Sequence, residues 1–181
     1  MSRILVLLSL FAVASAANLF PQKRSQFTTT PPVASVVGRI TVRLTVGRTF
    51  GEHPVAKLPL YLVRVEDSRA FQELQRKCRR AVARTTSNPG ASYEVCVQSM
   101  AEAAKLVPQL AATATNQTDR DGFYRFENVP AGGRYQVVGV KYEGDEPVLL
   151  VGLTARLKPG EEHRVDISEN EAWTDALPPA R

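Results

Sequence analysis

Hydrophobic and polar residues alternate with a period of two from Val37 to about residue 65 and again after Leu110, and with a helical period between these segments. From Val37 onward one side of the pattern is polar and the other is apolar, with Ile40, Val42, Leu44 and Val46 on the apolar side. A period of two predicts a half-buried strand. Residues 58–65 (Leu-Pro-Leu-Tyr-Leu-Val-Arg-Val) predict a second strand, with Pro59 near its start or at an edge because proline cannot donate to a ladder.

The period changes over residues 67–111, where two helices are predicted. The first has an apolar stripe opposite a charged face, and the stripe consists of Phe71, Leu74, Cys78, Ala81 and Val82. Ser87-Asn88-Pro89-Gly90 ends this helix. The second stripe consists of Tyr93, Cys96, Val97, Met100, Ala104 and Val107, and Pro108 bends or ends that helix. Residues 67–111 are therefore expected to form an antiparallel helical hairpin inserted between the second and third strands.

Strand signals return after Leu110 and are clearest from Thr118 to Val138. This stretch holds a polar turn, Asp119-Arg120-Asp121-Gly122, and a second reversal at Pro130-Ala131-Gly132-Gly133. Asp and Gly tolerate positive φ, which hairpin turns require. Further turns at 144–147 and 158–161 separate the last strands, which include the alternating residues His163, Val165 and Ile167. About seven strands with regularly spaced turns predict an all-β sandwich.

The two ends of the chain are predicted to lie outside this domain. Arg3, an apolar run over 4–13 and Ala14-Ser15-Ala16 predict a signal peptide over 1–16, cleaved near Ala16. A retained N-terminal anchor is the alternative, although the run is too short to span a bilayer. Residues 17–34 predict a disordered leader or linker, 35–168 the sandwich domain, and 169–181 a flexible tail. A secreted, periplasmic or extracellular location follows from this interpretation.

Charge and hydropathy argue against nucleic-acid binding and against a membrane span. The formal net charge is only +5, a mild excess that does not indicate nucleic-acid binding. After the first apolar run no segment approaches membrane-spanning length, so no membrane span is expected. The remaining chain is long enough for one domain with a hydrophobic core.

Two cysteines, Cys78 and Cys96, stand on the two helical stripes at similar distances from the intervening turn. An even number of cysteines in an exported chain favours a disulfide, which an antiparallel hairpin would allow. Closing this short loop would stabilise the fold by roughly 3 kcal/mol on the chain-entropy model. Zinc would need more ligands than these cysteines and the distant His53 and His163 supply, so no metal or cofactor is predicted.

Three segments carry a resemblance to a known family. They are the opening Gly-Arg-Ile-Thr-Val with the Leu-Pro-Leu-Tyr-Leu-Val strand, the stretch from Thr118 to Val138, and the Leu-Lys-Pro-Gly-Glu turn before the last strand. They resemble the carboxypeptidase regulatory-like domain, a transthyretin-like (prealbumin-like) β-sandwich that is similar to collagen-adhesin B-type repeats. The resemblance covers roughly 36–66 and 112–168 and leaves 67–111 outside. It implies a non-catalytic module of secreted or cell-surface proteins, although one sandwich hosts many activities.

The chemistry of these relatives does not transfer to this chain. Adhesin-type repeats crosslink a lysine to Asn or Asp with the help of a buried acid, but here Arg43 stands near the lysine position and Gly139 at that of the acid. The C-terminus lacks the Tyr-Arg motif of transthyretin-related hydrolases, and no helix has the His-Glu spacing of zinc peptidases. Asp119 and Asp121 precede a glycine as in calcium loops, but without the further oxygen ligands that calcium needs, so a turn is the favoured interpretation.

One surface site is a candidate from sequence. The basic residues of the first helix could bind an anionic polymer or lipid headgroups, although such a run is usually a solvated face; they are Arg76, Lys77, Arg79, Arg80 and Arg84. Asn116-Gln117-Thr118 is a glycosylation acceptor pattern, meaningful only in a eukaryotic secretory pathway.

These patterns favour a secreted, non-enzymatic β-sandwich that binds a protein or plays a structural part in the cell envelope or outside the cell, with the inserted hairpin as its distinctive surface. A carbohydrate-binding module is the alternative, and it would need a flat row of exposed aromatic residues. The available aromatic residues are scattered and include Tyr61, Tyr93, Tyr142 and Trp173. A hydrolase is a third class, and a polar cluster under the hairpin would support it. An exposed apolar stripe on the hairpin would instead indicate a protein partner.

Overall fold

The computed structural model describes residues 31–46, 49–83, 89–168 and 173–175. The predicted signal peptide, most of the predicted leader and Arg84 of the basic run lie outside these ranges. The described strands are β1 (Val33–Val46), β2 (Thr49–Pro54), β3 (Pro59–Arg64), β4 (Ala112–Gln117), β5 (Phe123–Pro130), β6 (Tyr135–Glu143), β7 (Glu146–Leu153), β8 (Glu162–Arg164) and β9 (Ile167–Ser168). The helices are α1 (Arg69–Ala83) and α2 (Pro89–Leu106), with short 3-10 turns at Val65–Asp67 and Val107–Gln109.

The strands form two sheets. In the first, the long strand β1 pairs antiparallel with β5 along its first half and with β2 along its second half. Strands β8 and β9 run parallel to β1. The second sheet is antiparallel throughout, in the order β4-β3-β6-β7. The helical hairpin leaves the second sheet after β3 and returns to it at β4, which confirms the predicted insertion in a β-sandwich.

The space between the sheets is filled by the apolar residues of the alternating strands. Their side chains are removed from water, which is the main favourable contribution to folding. The largest of the fully buried members are Ile40, Leu60, Leu62, Tyr135, Leu150, Leu157 and Ile167. The alternation seen in the sequence therefore corresponds to one inward face on each sheet.

The turn before β5 explains why the stretch from Thr118 is polar. One carboxylate oxygen of Asp119 accepts hydrogen bonds from the backbone N–H groups of Asp121 and Phe123, each at 2.9 Å. Gly122 has φ of +79°, and a Cβ there would lie 2.6 Å from the carbonyl oxygen of Ile40. Glycine is required at this turn both by its backbone angle and by the close approach of β1.

The structure differs from the sequence expectation in the number of strands. Strand β2 is not among the strands that the sequence predicts, since Gly51 and Pro54 are poor strand formers. Pairing with the second half of β1 overrides this local preference. The predicted last strand is divided into β8 and β9, because the carboxylate of Asp166 accepts the N–H of Arg39 at 2.9 Å in place of a backbone partner.

Both predicted boundaries of the domain also shift. Strand β1 begins at Val33, inside the predicted leader, because Val33 and Ala34 pair with Pro130 and Val129. At the other end, Trp173 is only 6% exposed, although the sequence predicts a flexible tail over 169–181. The hydrophobic side chain of Trp173 packs on the domain, and local composition does not reveal such a contact.

Glu161 closes the last turn of the sandwich. One carboxylate oxygen accepts the backbone N–H of Lys158 at 2.7 Å, and the other lies 3.2 Å from Nδ1 of His163. The hydrogen bond from Lys158, followed by that from His163, lowers the pKa of the Glu161 carboxyl below its ordinary value.

The lowered pKa of Glu161 predicts an acid-sensitive contribution to stability. This contribution is present above the carboxyl's unfolded value and is lost as the pH falls through its lower folded-state pKa. Glu161→Gln is expected to flatten the loss of unfolding free energy below about pH 4.5. Urea unfolding at pH values from 3 to 7 measures this, with Glu146→Gln in the exposed β6–β7 turn as the control. Equal slopes for the two variants would contradict the role of Glu161.

Candidate functional site

The helical hairpin lies against the outer face of the second sheet, where it forms a second hydrophobic cluster. Phe71 of α1 and Ala103 of α2 are fully buried on the strands. The strand residues in this cluster are Val138 of β6 and Leu149 and Val151 of β7. The outer face of β6 and β7 is apolar, so without the hairpin it would be exposed to water. The hairpin is thus an integral third layer of the domain.

Most of the apolar stripe of the hairpin is buried by this packing. Phe71 is buried, and Leu74 and Met100 are partly buried against the same cluster. Val97 is half-buried. Most of the stripe that would have indicated an apolar docking surface therefore faces the protein's own sheet, whereas its members Val82 and Tyr93 are exposed beside the polar faces of the helices.

A disulfide joins the two helices. Cys78 of α1 is bonded to Cys96 of α2, as the sequence predicts, and Cys78 is buried. The bond crosslinks residues separated by 18 positions and limits the separation of the helices in both the folded and the unfolded chain.

A buried polar network lies beneath α1. The Ser68 hydroxyl donates to Oε1 of Gln136 on β6 at 2.9 Å. Gln136 in turn donates from Nε2 to Oε1 of Gln75 at 3.1 Å, and Gln72 donates to the Ser68 hydroxyl at 2.8 Å. Among the described residues no buried side-chain polar atom lacks a partner. Hydrogen bonds of this kind specify how α1 sits on the sheet.

The same network holds the C-terminal segment. Nε2 of Gln75 donates to the carbonyl oxygen of Trp173 at 2.6 Å. The Trp173 ring meets Phe71 edge to face, with ring centroids 5.9 Å apart. Trp173 was one of the aromatic residues available to a carbohydrate site, but its ring is buried in the second cluster. The C-terminal segment thereby helps to fix the hairpin.

The network has no group that could act as a general acid or base near neutral pH. Its members are amides and hydroxyls, which do not titrate near neutral pH. In the ranges that the structure describes, no group of three or more His, Cys, Asp or Glu side chains could hold a metal ion. His53 is exposed on β2, and His163 contacts Glu161 and the backbone N–H of Ala155. The polar cluster under the hairpin positions structural elements.

The solvent-facing side of α1 is basic. Arg76, Lys77, Arg79 and Arg80 of the predicted patch are all exposed. Glu73 lies among them, with its carboxylate 3.4 Å from Arg76 and 3.0 Å from Arg80. Hydrogen bonds from Arg80 and then Arg76 lower the pKa of the Glu73 carboxyl. The structure brings these predicted residues together on one surface.

Within the described ranges, the exposed aromatic residues lie on different elements. Tyr93 lies on α2 and is 70% exposed, Tyr142 lies near the end of β6 and is 61% exposed, and Tyr61 packs under the hairpin. Phe123, which no sequence pattern marked as exposed, is 45% exposed on β5 with the Arg39 guanidinium 5.3 Å from its ring centroid. The exposure of Phe123 could have been inferred from the sequence, because neighbouring residues of a strand face opposite sides and Tyr124 faces inward.

Phe123 borders a groove of about 430 Å³ on the first sheet. Its charged lining residues are Asp119, Arg125, Glu162 and Arg164. Most of these charges are paired within the protein: Arg125 lies 2.8 Å from Glu162, and Arg164 lies 2.8 Å from Asp166. The groove is therefore close to neutral and open to solvent.

The two positions that exclude crosslinking chemistry lie in different surroundings. Arg43 is exposed on β1. Gly139 is buried on β6, and a Cβ there would lie 2.8 Å from Cδ2 of Leu58 and 2.9 Å from Cδ2 of Leu60. Leucine side chains occupy the space that an acid would need.

Asn116 of the glycosylation acceptor pattern is exposed and donates from its side chain to the carbonyl oxygen of Arg125.

None of the helices in the described part of the chain is long and apolar enough to cross a membrane.

No family model and no curated protein matches the chain. Among solved structures, the chain is similar to the minor pilin GBS52 of Streptococcus agalactiae, at 10% identity and a TM-score of 0.35. It is also similar to the shaft pilin spaA of Lactobacillus rhamnosus GG, at 10% identity and a TM-score of 0.34.

These alignments cover 83% and 75% of this chain but only 49% and 48% of the two pilin chains, so the chain spans about half their length. Likeness of this degree assigns neither a family nor a function to the chain.

Proposed function

We propose that this chain is an exported, non-enzymatic β-sandwich module that binds a protein partner through the solvent-facing side of its helical hairpin. The observation that carries the proposal is the way the hairpin is held. A disulfide, a buried hydrogen-bond network and the Trp173 ring fix it on the second sheet. A rigid element presented on a scaffold loses little conformational entropy on binding.

Two features of the sequence support a non-enzymatic role and export of the chain. The segment from Thr118 to Val138 resembles carboxypeptidase regulatory-like domains, which are usually non-catalytic modules of exported proteins. Residues 1–16 have the pattern of a signal peptide, and a disulfide fits the oxidising compartment to which that peptide would lead. A place in the cell envelope or outside the cell follows.

Site-specific photocrosslinking in the native host tests the proposal. A benzophenone amino acid at Tyr93 places the reactive group on the hairpin, at a side chain that is 70% exposed. The same residue at Tyr142, 61% exposed on β6, is the matched control on the sandwich. We expect a discrete crosslinked protein from position 93 and none from position 142, because the partner contacts the hairpin alone.

Three results would contradict parts of this proposal. Equal crosslinks from both positions would mean that capture reflects exposure and not a specific surface. No crosslink from position 93, in a host where the chain is exported and folded, would exclude binding through this part of the hairpin. Retention of the signal peptide in the mature protein would overturn the proposed export route.

A further inference from the structure

We infer that the partner surface is acidic and is bound by the outer side of α1, with Glu73 as a built-in competitor for the same arginines. This inference rests on the proposed function, since it names the chemistry of the hairpin's partner. The surface, called the α1 basic face below, consists of Arg69, Glu73, Arg76, Lys77, Arg79 and Arg80.

The α1 basic face has a high local charge. Its five cations and one carboxylate give a net charge of +4, close to the +5 of the whole chain. Arg69 and Arg76 are seven residues apart, which is about two turns, and Arg76 and Arg80 are four apart, so the three arginines line one side of the helix. At 1.5 Å per residue the span from Arg69 to Arg80 is about 16 Å. Lys77 and Arg79 flank this line.

Glu73 shows how the face holds a carboxylate. Its two oxygens lie 3.4 Å from an Arg76 nitrogen and 3.0 Å from an Arg80 nitrogen, so one carboxylate joins two guanidinium groups. Within the described residues, Arg69, Lys77 and Arg79 form no ion pair with any acidic side chain. The face therefore has cations left for an external anion, and two further arginines that an external anion can take from Glu73.

The composition of the face favours a protein over a lipid surface. A helix that inserts into a lipid interface needs a free apolar face, whereas Phe71 and Cys78 of α1 are buried and Val82, 58% exposed, is a single apolar side chain. Four of its five cations are arginines, whose planar groups match carboxylates in a bidentate geometry. An extended peptide covers about 16 Å with roughly five residues, at about 3.3 Å each. An acidic protein segment of this length is the occupant that fits.

Binding of a labelled deca-glutamate peptide to the mature protein tests the inference. Glu73→Gln removes the internal competitor and is expected to tighten binding about two- to fivefold, the effect of one surface charge. Arg69→Glu with Lys77→Glu and Arg79→Glu is expected to weaken it at least about tenfold. The matched control is Arg43→Glu with Arg120→Glu and Arg156→Glu, which makes the same charge change on exposed residues elsewhere. We expect this control to bind like the wild type.

The outcomes separate the inference from the function on which it rests. Equal weakening by both triple variants, or no tightening by Glu73→Gln, would overturn the acidic-partner inference, while a crosslink from position 93 would still support the hairpin as a binding surface. Tighter binding of dextran sulfate or of phosphatidylserine vesicles than of the peptide would replace the protein segment by a polysaccharide or a membrane. Concentration-dependent self-association that is abolished by the α1 triple variant would identify a second copy of this chain as the acidic partner.

Discussion

Replacing Trp173 with alanine is expected to lower the free energy of unfolding by about 3–5 kcal/mol, the usual cost of removing a buried aromatic side chain. The ring packs edge to face on Phe71 and is almost fully buried between the hairpin and the second sheet. The loss would be a large part of the stability of a domain of this size, which is typically about 5–15 kcal/mol. Urea unfolding followed by far-ultraviolet circular dichroism measures it, because the variant has no tryptophan left to report fluorescence.

The control for this prediction is Tyr142→Ala, which truncates a large aromatic side chain that is mostly exposed. Its effect is expected to stay within about 0.5 kcal/mol, as for surface substitutions in general. Trp173→Phe should fall between the wild type and Trp173→Ala, because a smaller ring keeps part of the contact with Phe71. A loss of less than about 1 kcal/mol for Trp173→Ala would mean that this segment is not docked in solution.

Removing the disulfide by Cys78→Ala with Cys96→Ala is expected to cost about 3 kcal/mol, because the unfolded chain then regains the freedom of a short loop. The loss should concentrate in the hairpin. Amide hydrogen exchange is expected to accelerate in α1 and α2 and to remain slow in the strands of the sandwich, since the disulfide lies between the two helices alone.

Reduction of the wild-type protein is the companion experiment, because it breaks the bond without changing any side-chain volume beyond the two sulfurs. Similar destabilisation by reduction and by the double alanine variant would assign the effect to the crosslink. Equal unfolding midpoints with and without reductant would refute a stabilising role for the disulfide. If the double variant also loses the crosslink from position 93, then the rigid placement of the hairpin is needed for the proposed function.

Several features of the fold could be predicted because they depend on neighbouring residues along the chain. The alternation around Val37, the helical period of residues 67–111 and the turn at Asp119–Gly122 are local patterns, and each gave the correct element. The pairing of Cys78 with Cys96 followed from their positions on two helices joined by one turn. The candidate basic residues were also readable as the charged side of an amphipathic helix.

Other features required contacts between distant parts of the chain. Strand β2 exists because β1 offers it a pairing edge, not because its own residues favour a strand. The side of α1 that meets solvent was visible in the sequence, but the surface that covers the other side was not. Gln75 and Gln136 are polar residues that local sequence rules place on the surface. They can be buried because their side chains form a hydrogen bond with each other.

By itself, then, the sequence determined most of the elements of this protein, with β2 as an exception, and the position of the inserted hairpin, since these depend on periodicity and turn residues. Only the tertiary structure decided that the hairpin covers the outer face of β6 and β7 and that Trp173 packs against it. The physical reason is that burial and hydrogen bonding are settled between residues far apart in the chain, whereas secondary structure is signalled by residues close together.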